Sequence, residues 1–184
     1  MTAQAEPALP LSTPSLRLRR FVLADAPRLM ALNGEPSTRR WLASHVYADR
    51  AAAEAALRFL VAAYAAPGDP RRGPYVLAVD DGASGELIGH VGFSPLDGEV
   101  EVSFALAESV RGRGRGVEAV RHGCDWIARA FGLQIIVAVT AAANDASRRT
   151  LERAGFAHEG DGPMRFQGEE TAVGRYRWRR APPT

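Results

Sequence analysis

Six consecutive residues, Arg111-Gly112-Arg113-Gly114-Arg115-Gly116, combine three guanidinium groups with three glycines. Glycine lets a backbone turn sharply and approach a ligand closely. The residues that follow open a helical pattern. The first N–H groups of a helix have no internal partner, and the helix dipole adds partial positive charge at that end. Together these features describe a cradle for phosphate. The P-loop string G-x-x-x-x-G-K-[ST] does not occur, and the dinucleotide fingerprint G-x-G-x-x-G fails at Ala119, where its third glycine would stand. A different phosphate ligand is expected. A bare Gly/Arg repeat also serves in disordered RNA-binding tracts, but this one is short and framed by strong strand and helix patterns.

Other residues carry acid–base potential. Glu101 sits inside the alternating run Val100, Val102, Phe104, Leu106, on the opposite face. A carboxylate in the middle of a strand needs a reason: proton transfer, or a salt bridge to an arginine. Glu159, in Phe156-Ala-His-Glu159-Gly160, is a second carboxylate of interest, with a solvated turn as its plain alternative. His90 and His158 are potential relays and are more often structural. Asn144 and Ser147 are three residues apart, the spacing of an N-cap and the first turn of a helix.

The elements that must position these groups are legible. The run ending at Leu106 reads as a strand with one apolar face. Val117, Val120, Cys124, Ile127 and Phe131 recur at helical spacing up to Gly132. Gln134 to Thr140 is apolar on both faces, the signature of a central parallel strand. Asn144 to Ala154 reads as a short helix, with Gly155 at its C′ position. Upstream, Leu16-Arg-Leu-Arg-Arg-Phe reads as a strand and Ala24 to Leu32 as a helix closed by Asn33-Gly34. Arg39 to Tyr47 is irregular or briefly helical; Asp49 caps a helix to about Ala65. Pro67 to Pro74 is a loop with a basic pair, Arg71-Arg72, solvated or touching substrate. Tyr75 to Val79 and Leu87 to Phe93 are strands, and Gly89 and Gly92 in the second mark a bulge or a close backbone approach. Phe156 to Gly160 and Thr171 to Arg179 close the chain as two strands joined by a turn at Gln167-Gly168. The order is β-α-α-β-β-β-α-β-α-β-β, a single domain over residues 15–184 after a frayed, flexible tail over Met1 to Pro14.

Composition sets bounds. The length of 184 residues suits one domain with a sizeable core. A net charge of +2 leaves no general polyanion surface, and the arginines are interleaved with acids, so nucleic acid is not an expected partner. Every basic residue is arginine, which codon composition explains. Cys124, the only cysteine, rules out an intramolecular disulfide, makes a Cys-based metal site unexpected, and falls on the apolar stripe of its helix as a packing residue. No signal peptide pattern and no membrane-length apolar run is present, so a cytoplasmic location without membrane contact is expected. Aromatic residues on the last strand, if exposed, would offer a surface for a homodimer.

Two stretches taken together, with a buried strand between them, resemble the GNAT superfamily of acetyl-CoA-dependent N-acetyltransferases and its RimJ/RimL-like branch. Arg111-x-x-Gly114-x-Gly116 is similar to the R/Q-x-x-G-x-G/A signature. Val117-Glu118-Ala119 looks like the T-E-A that often follows. Asn144-x-x-Ser147 with Leu151-Glu152-Arg153-x-Gly155-Phe156 resembles N-x-x-S…L-E-K-x-G-F. The likeness runs over about residues 15 to 180, and Trp41 and Tyr176-x-Trp178 suit it. It implies an α/β fold: a mixed, mostly antiparallel central sheet with a parallel splayed strand pair and flanking helices. It implies acetyl-CoA as co-substrate and no metal. The backbone of Phe104, Ala105 and Leu106 would pair with the pantetheine arm, the Arg111 to Gly116 loop would cradle the pyrophosphate, and Asn144 and Ser147 would lie beside the sulfur.

The reaction so implied is direct attack of an amine on the thioester. It needs a base, an oxyanion donor and a proton or contact for the thiolate. Glu101 is the first base candidate and Glu159 the second. Many GNATs carry a tyrosine as acid where Leu151 stands here, which leaves Ser147 to donate to the departing sulfur. The acceptor follows as a protein N-terminal α-amine or another primary amine. The alternatives are a small-molecule enzyme acting on an aminoglycoside, polyamine or amino acid, and a catalytically silent acyl-CoA-binding module. Asn33 to Tyr47, Pro67 to Pro74 and Gly160 to Glu170 are the regions expected to choose the acceptor.

Overall fold

A computed structural model describes residues 8–65, 68–166 and 168–181. Alternation of apolar and polar residues builds its sheet. The elements in chain order are β1 (Leu11–Ser12), β2 (Leu16–Arg20), α1 (Ala26–Asn33), α2 (Pro36–Trp41), α3 (Arg50–Ala65), β3 (Tyr75–Asp81), β4 (Leu87–Leu96), β5 (Glu99–Leu106), α4 (Arg115–Phe131), β6 (Ile135–Ala141), α5 (Asp145–Arg153), β7 (Ala157–Phe166) and β8 (Glu169–Arg179). The eight strands form one sheet in the order β1-β2-β3-β4-β5-β6-β8-β7. Every neighbouring pair is antiparallel except β5 and β6, which run parallel. The fold is thus the mixed, mostly antiparallel sheet with a parallel pair that the sequence implied.

Helices cover the sheet on both sides. One core joins Leu77, Val91, Phe93, Val102 and Ile136 to Val120, Cys124 and Ile127 of α4 and Leu151 of α5. The other joins Ala78 and Leu87 to Leu29 and Leu32 of α1 and Ala53 and Leu57 of α3. Each fully buried Leu, Ile or Phe contributes about 1.5–3 kcal/mol of transfer free energy. Cys124 is fully buried among these apolar side chains, as its place on the stripe predicted.

Local chemistry sets the helix ends. The Asp49 carboxylate accepts from the Ala52 N–H at 2.8 Å and starts α3. At the end of α5 the Gly155 N–H donates to the Glu152 carbonyl and the Phe156 N–H to the Leu151 carbonyl, both at 3.0 Å. With Gly155 at φ 98°, this is a Schellman cap. In β4, Gly89 marks a close approach: a side chain there would collide with the Ala105 carbonyl on β5. The β3–β4 register shifts opposite it, between Val79 and Asp80.

Two expectations change, and the two readings of one loop are told apart. The frayed tail lies outside the described residues for 1–7, but Leu11–Ser12 pairs with Leu18 and Arg17. The chain then runs on to Thr13 and Ser15, whose hydroxyls bond Glu118 in the first turn of α4 at 2.5 and 2.7 Å. The aromatic residues of the last strand are not exposed: β8 is an interior strand, and Tyr176 and Trp178 pack in the core against α4 and α5. The edge strand is β7, so a homodimer surface built on those aromatics is withdrawn. For the loop before β3, the exposed Arg71 and Arg72 fit the solvated reading. Arg71 donates to the Phe131 carbonyl, at the opposite end of α4. Pro67, and Gln167 of the final turn, lie outside the described residues.

Candidate active site

The parallel pair opens into a gap. β5 and β6 share one bridge, Glu101 with Val137, and then diverge. Beyond it, Val102 to Leu106 on one side and Ala138 to Thr140 on the other line a cleft of about 330 Å³. The Ala107 N–H donates to the Ile88 carbonyl on the β4 side at 2.8 Å. Backbone groups alternate sides along a strand, so those of Phe104 and Leu106 face into the gap and those of Ala105 face β4. An extended ligand arm can therefore pair with β5 as an added strand would.

The glycine run closes one end. Gly112 and Gly114 have φ of 76° and 77°, which side chains rarely adopt, and a Cβ at either would meet nothing within 4 Å. Gly114 is the N-cap of α4, so the orphan N–H groups of the helix lie beside the cleft. The three arginines divide. Arg111 folds back, its Nε and Nη2 donating to the Leu106 carbonyl at 3.0 and 2.8 Å. Arg115 pairs with Asp81 at 2.5 Å. Arg113 is exposed and has no ion pair among the described residues. Arg111 is the one of the three that lines the cleft, while Arg113 and Arg115 are not among its lining residues; what the loop turns toward the cleft is therefore mainly its glycine backbone.

Glu101 stands at the foot of the gap, one residue before Val102 and Ser103 of the cleft wall. It forms no ion pair among the described residues, so the salt-bridge alternative is not what the structure shows. Burial pushes its carboxyl up to about 7, against the opposing pull of the Val139 backbone and Arg175, and Asp97 adds to the rise. Glu159 is placed elsewhere. It lies at a bulge in β7 and pairs with Arg177 at 2.5 Å and Arg175 at 3.7 Å, away from the cleft wall. His90 is buried under the 3₁₀ turn at Ala43–His45, its ring 5.7 Å from that of His45, and burial lowers its pKa to about 3. His158 bonds Asp161 at 2.8 Å. Neither histidine lines the cleft.

The other bank belongs to α5. Asn144 is its N-cap and accepts from the Ser147 N–H at 3.2 Å. Asn144 and Ser147 both line the cleft, as does the buried Leu151. The Ser147 hydroxyl has no hydrogen bond among the described residues. The far mouth is built by Thr38, Trp41 and Leu42, from α2 and its end, and by Phe166 at the tip of β7. The sequence marked the Asn33 to Tyr47 stretch as acceptor-facing but not which residues. It gave no weight to Arg149 and Arg153 of α5, which also line the cleft, although their spacing of four was visible.

Solved structures share this architecture. An acetyltransferase of the GNAT family from Bacillus anthracis superposes with a TM-score of 0.77 at 16% identity, over 91% of this chain and 96% of that one. Ribosomal-protein-S5-alanine acetyltransferase from Vibrio fischeri gives 0.74 at 19%, over 92% and 95%. RimL, a ribosomal L7/L12 α-N-protein acetyltransferase solved with coenzyme A, gives 0.72 at 16%, over 91% and 95%. No curated protein matches the sequence significantly. Residues 15–157 match the Acetyltransferase (GNAT) domain, a stretch that runs from β2 through the glycine loop to the start of β7. A splayed parallel pair, a glycine cradle at a helix start and that family match agree: the chain belongs to the GNAT acetyltransferase family, whose members use acetyl-CoA.

Proposed function

We propose that the protein transfers the acetyl group of acetyl-CoA to a primary amine, the α-amine of a protein N-terminus, by direct attack. The observation that carries this reading is Glu101: a carboxyl free of ion pairs, at the foot of the gap, poised near neutral pH. Acetyl-CoA would supply a thioester carbonyl activated for attack. Phe104 offers its backbone groups and Leu106 its N–H to the arm, the Leu106 carbonyl being held by Arg111, and the Arg111 to Gly116 loop with the start of α4 offers N–H donors to its pyrophosphate. A free α-amine has a pKa near 8, so a carboxylate of similar affinity for protons can take its proton through one water. The amine then forms the new C–N bond as the C–S bond breaks. The Ser147 hydroxyl donates a hydrogen bond to the departing sulfur, which leaves as the thiol by taking the second proton that the acylated nitrogen gives up.

The walls favour a peptide over a polycation. Among the described residues the lining side chains are apolar, hydroxyl, amide or arginine. A polyamine or aminoglycoside would meet guanidinium groups and no carboxylate on the wall. The ribosomal-protein enzymes among the structural neighbours carry the same kind of acceptor in their names.

Thiol release from acetyl-CoA tests this with two acceptor pools. Short peptides with free N-termini should support release, and blocking the N-termini should abolish it. Release with polyamines or aminoglycosides alone overturns the acceptor assignment. Silence with both pools, beside clear binding of acetyl-CoA, overturns catalysis in favour of an acyl-CoA-binding module. Ser147→Ala should lower turnover about tenfold, the weight of one lost hydrogen bond in the rate-limiting step, with acetyl-CoA affinity unchanged. Unchanged turnover removes Ser147 from the reaction.

A further inference from the structure

α5 presents its arginines in two ways. Arg148 turns toward β7, donating to the Ala142 carbonyl at 3.1 Å and pairing with Asp161 at 3.3 Å. Arg149 and Arg153 line the cleft instead. They are four residues apart, so they share one face of the helix, where like charges repel. Neither has a side-chain hydrogen bond or an ion pair among the described residues. Thr150, between them, stands against the start of α4: a Cβ at Gly116 would lie 3.5 Å from its methyl group. The Arg121 guanidinium ties the two helices together by donating to the Arg153 carbonyl at 2.7 Å. Two guanidinium groups without an ion pair among the described residues therefore line the same cleft as the glycine loop.

The pyrophosphate does not need them, because the loop and the first N–H groups of α4 already face it. Coenzyme A carries a second anionic group, a phosphate monoester on its ribose. A monoester holds nearly two charges and three strong acceptor oxygens, which suits a pair of guanidinium forks. We propose that Arg149 and Arg153 bind the 3′-phosphate of coenzyme A. This rests on the acetyl-CoA reading above. It makes the α5 face the element that tells the full coenzyme from its dephosphorylated form.

Calorimetric titration of the full chain with CoA and with 3′-dephospho-CoA tests this without any acceptor. The intact protein should bind CoA at least about tenfold more tightly, the weight of one charge-assisted contact. The double variant Arg149→Ala/Arg153→Ala should lose that preference, with dephospho-CoA binding unchanged. Arg149→Lys/Arg153→Lys should restore part of it, because the charge survives while the fork does not. Unchanged dephospho-CoA binding also reports that the double variant is folded. Equal affinity of the intact protein for both ligands overturns the proposal. Equal loss of both ligands in a folded double variant overturns it too, by assigning the arginines to the pyrophosphate. Failure of the intact protein to bind either ligand overturns the acetyl-CoA reading itself and the subsite with it.

Discussion

Glu99 and Glu101 leave the same face of β5 two residues apart, and their surroundings are opposite. Glu99 is gripped by Arg177 at 2.5 Å and Arg175 at 2.7 Å, both from β8 across the splayed pair. The hydrogen bond from Arg177 leads in holding its carboxyl below the usual range. Glu101 has no such grip, and burial raises it to about 7. The difference comes from side-chain reach rather than from register. Val137 pairs with both Glu101 on β5 and Arg177 on β8, yet the long side chains of Arg175 and Arg177 extend to Glu99 and Glu159 instead. Glu101 is left at the point where the strands part. Pairs of carboxyls pushed apart by environment mark divided labour: one holds the sheet, the other is free to move a proton.

The largest effect that this contrast predicts is at Glu101. Glu101→Gln should lower kcat/KM at pH 7 by about 10²- to 10³-fold, the range of a lost general base. The intact enzyme should gain activity as pH rises through about 7, as Glu101 ionises, and the variant should lose that limb. Stability should move the other way. The raised carboxyl means that the folded state binds more protons than the unfolded chain between the ordinary Glu value and about 7. The contribution of Glu101 to stability therefore falls as pH rises through that window. Glu101→Gln removes the loss, so thermal melting above pH 7 should be unchanged or higher. A variant that is inactive because it unfolds would break the contrast and return Glu101 to a structural role.

Glu99→Gln should act in the complementary sense and more weakly. Glu99 is partly exposed, so the loss of stability should stay within about 1 kcal/mol. At pH 7 the rate should stay within about threefold of the parent. Removing a negative neighbour and releasing two arginines both favour ionised Glu101, so the acid limb should move below 7. A loss of activity as large as that of Glu101→Gln would show that the two carboxyls act as one unit.

What the sequence made legible follows locality. The Arg111 to Gly116 loop, the capped α5 and the apolar β6 are contiguous, and each carries its own pattern of glycines, caps or alternation. Those patterns survived into the structure almost unchanged. Glu101 could be flagged because a carboxylate in mid-strand breaks the local rule. The states of the charges are set by contacts distant in sequence. Arg175 and Arg177 come from 76 and 78 residues away to hold Glu99. Arg115 finds Asp81, Arg113 is not among the cleft-lining residues, and Arg111, which is, also holds a backbone carbonyl, so the apparent charge of the loop overstated what faces the cleft. Tyr176 and Trp178 were misplaced for the same reason, since β8 crosses back between β6 and β7 and no local pattern announces that order.

Arg175 offers the finest test, because it touches both carboxyls in different ways. It bonds Glu99 directly and acts on Glu101 only through its charge. Arg175→Ala leaves Glu99 paired to Arg177, so the sheet should lose little, within the range of a partly exposed ion pair. It also removes a positive charge that favours ionised Glu101. The acid limb of kcat/KM should then move up, by about half a pH unit or less given solvent screening. Activity at pH 7 should fall slightly and recover fully above pH 8. The opposite displacements of the limb in Glu99→Gln and Arg175→Ala are the signature of one titrating carboxyl at the foot of the gap, read through the charges around it. A limb that stays fixed in both variants would assign the titration to a group elsewhere, and Glu101 would lose its place as the base.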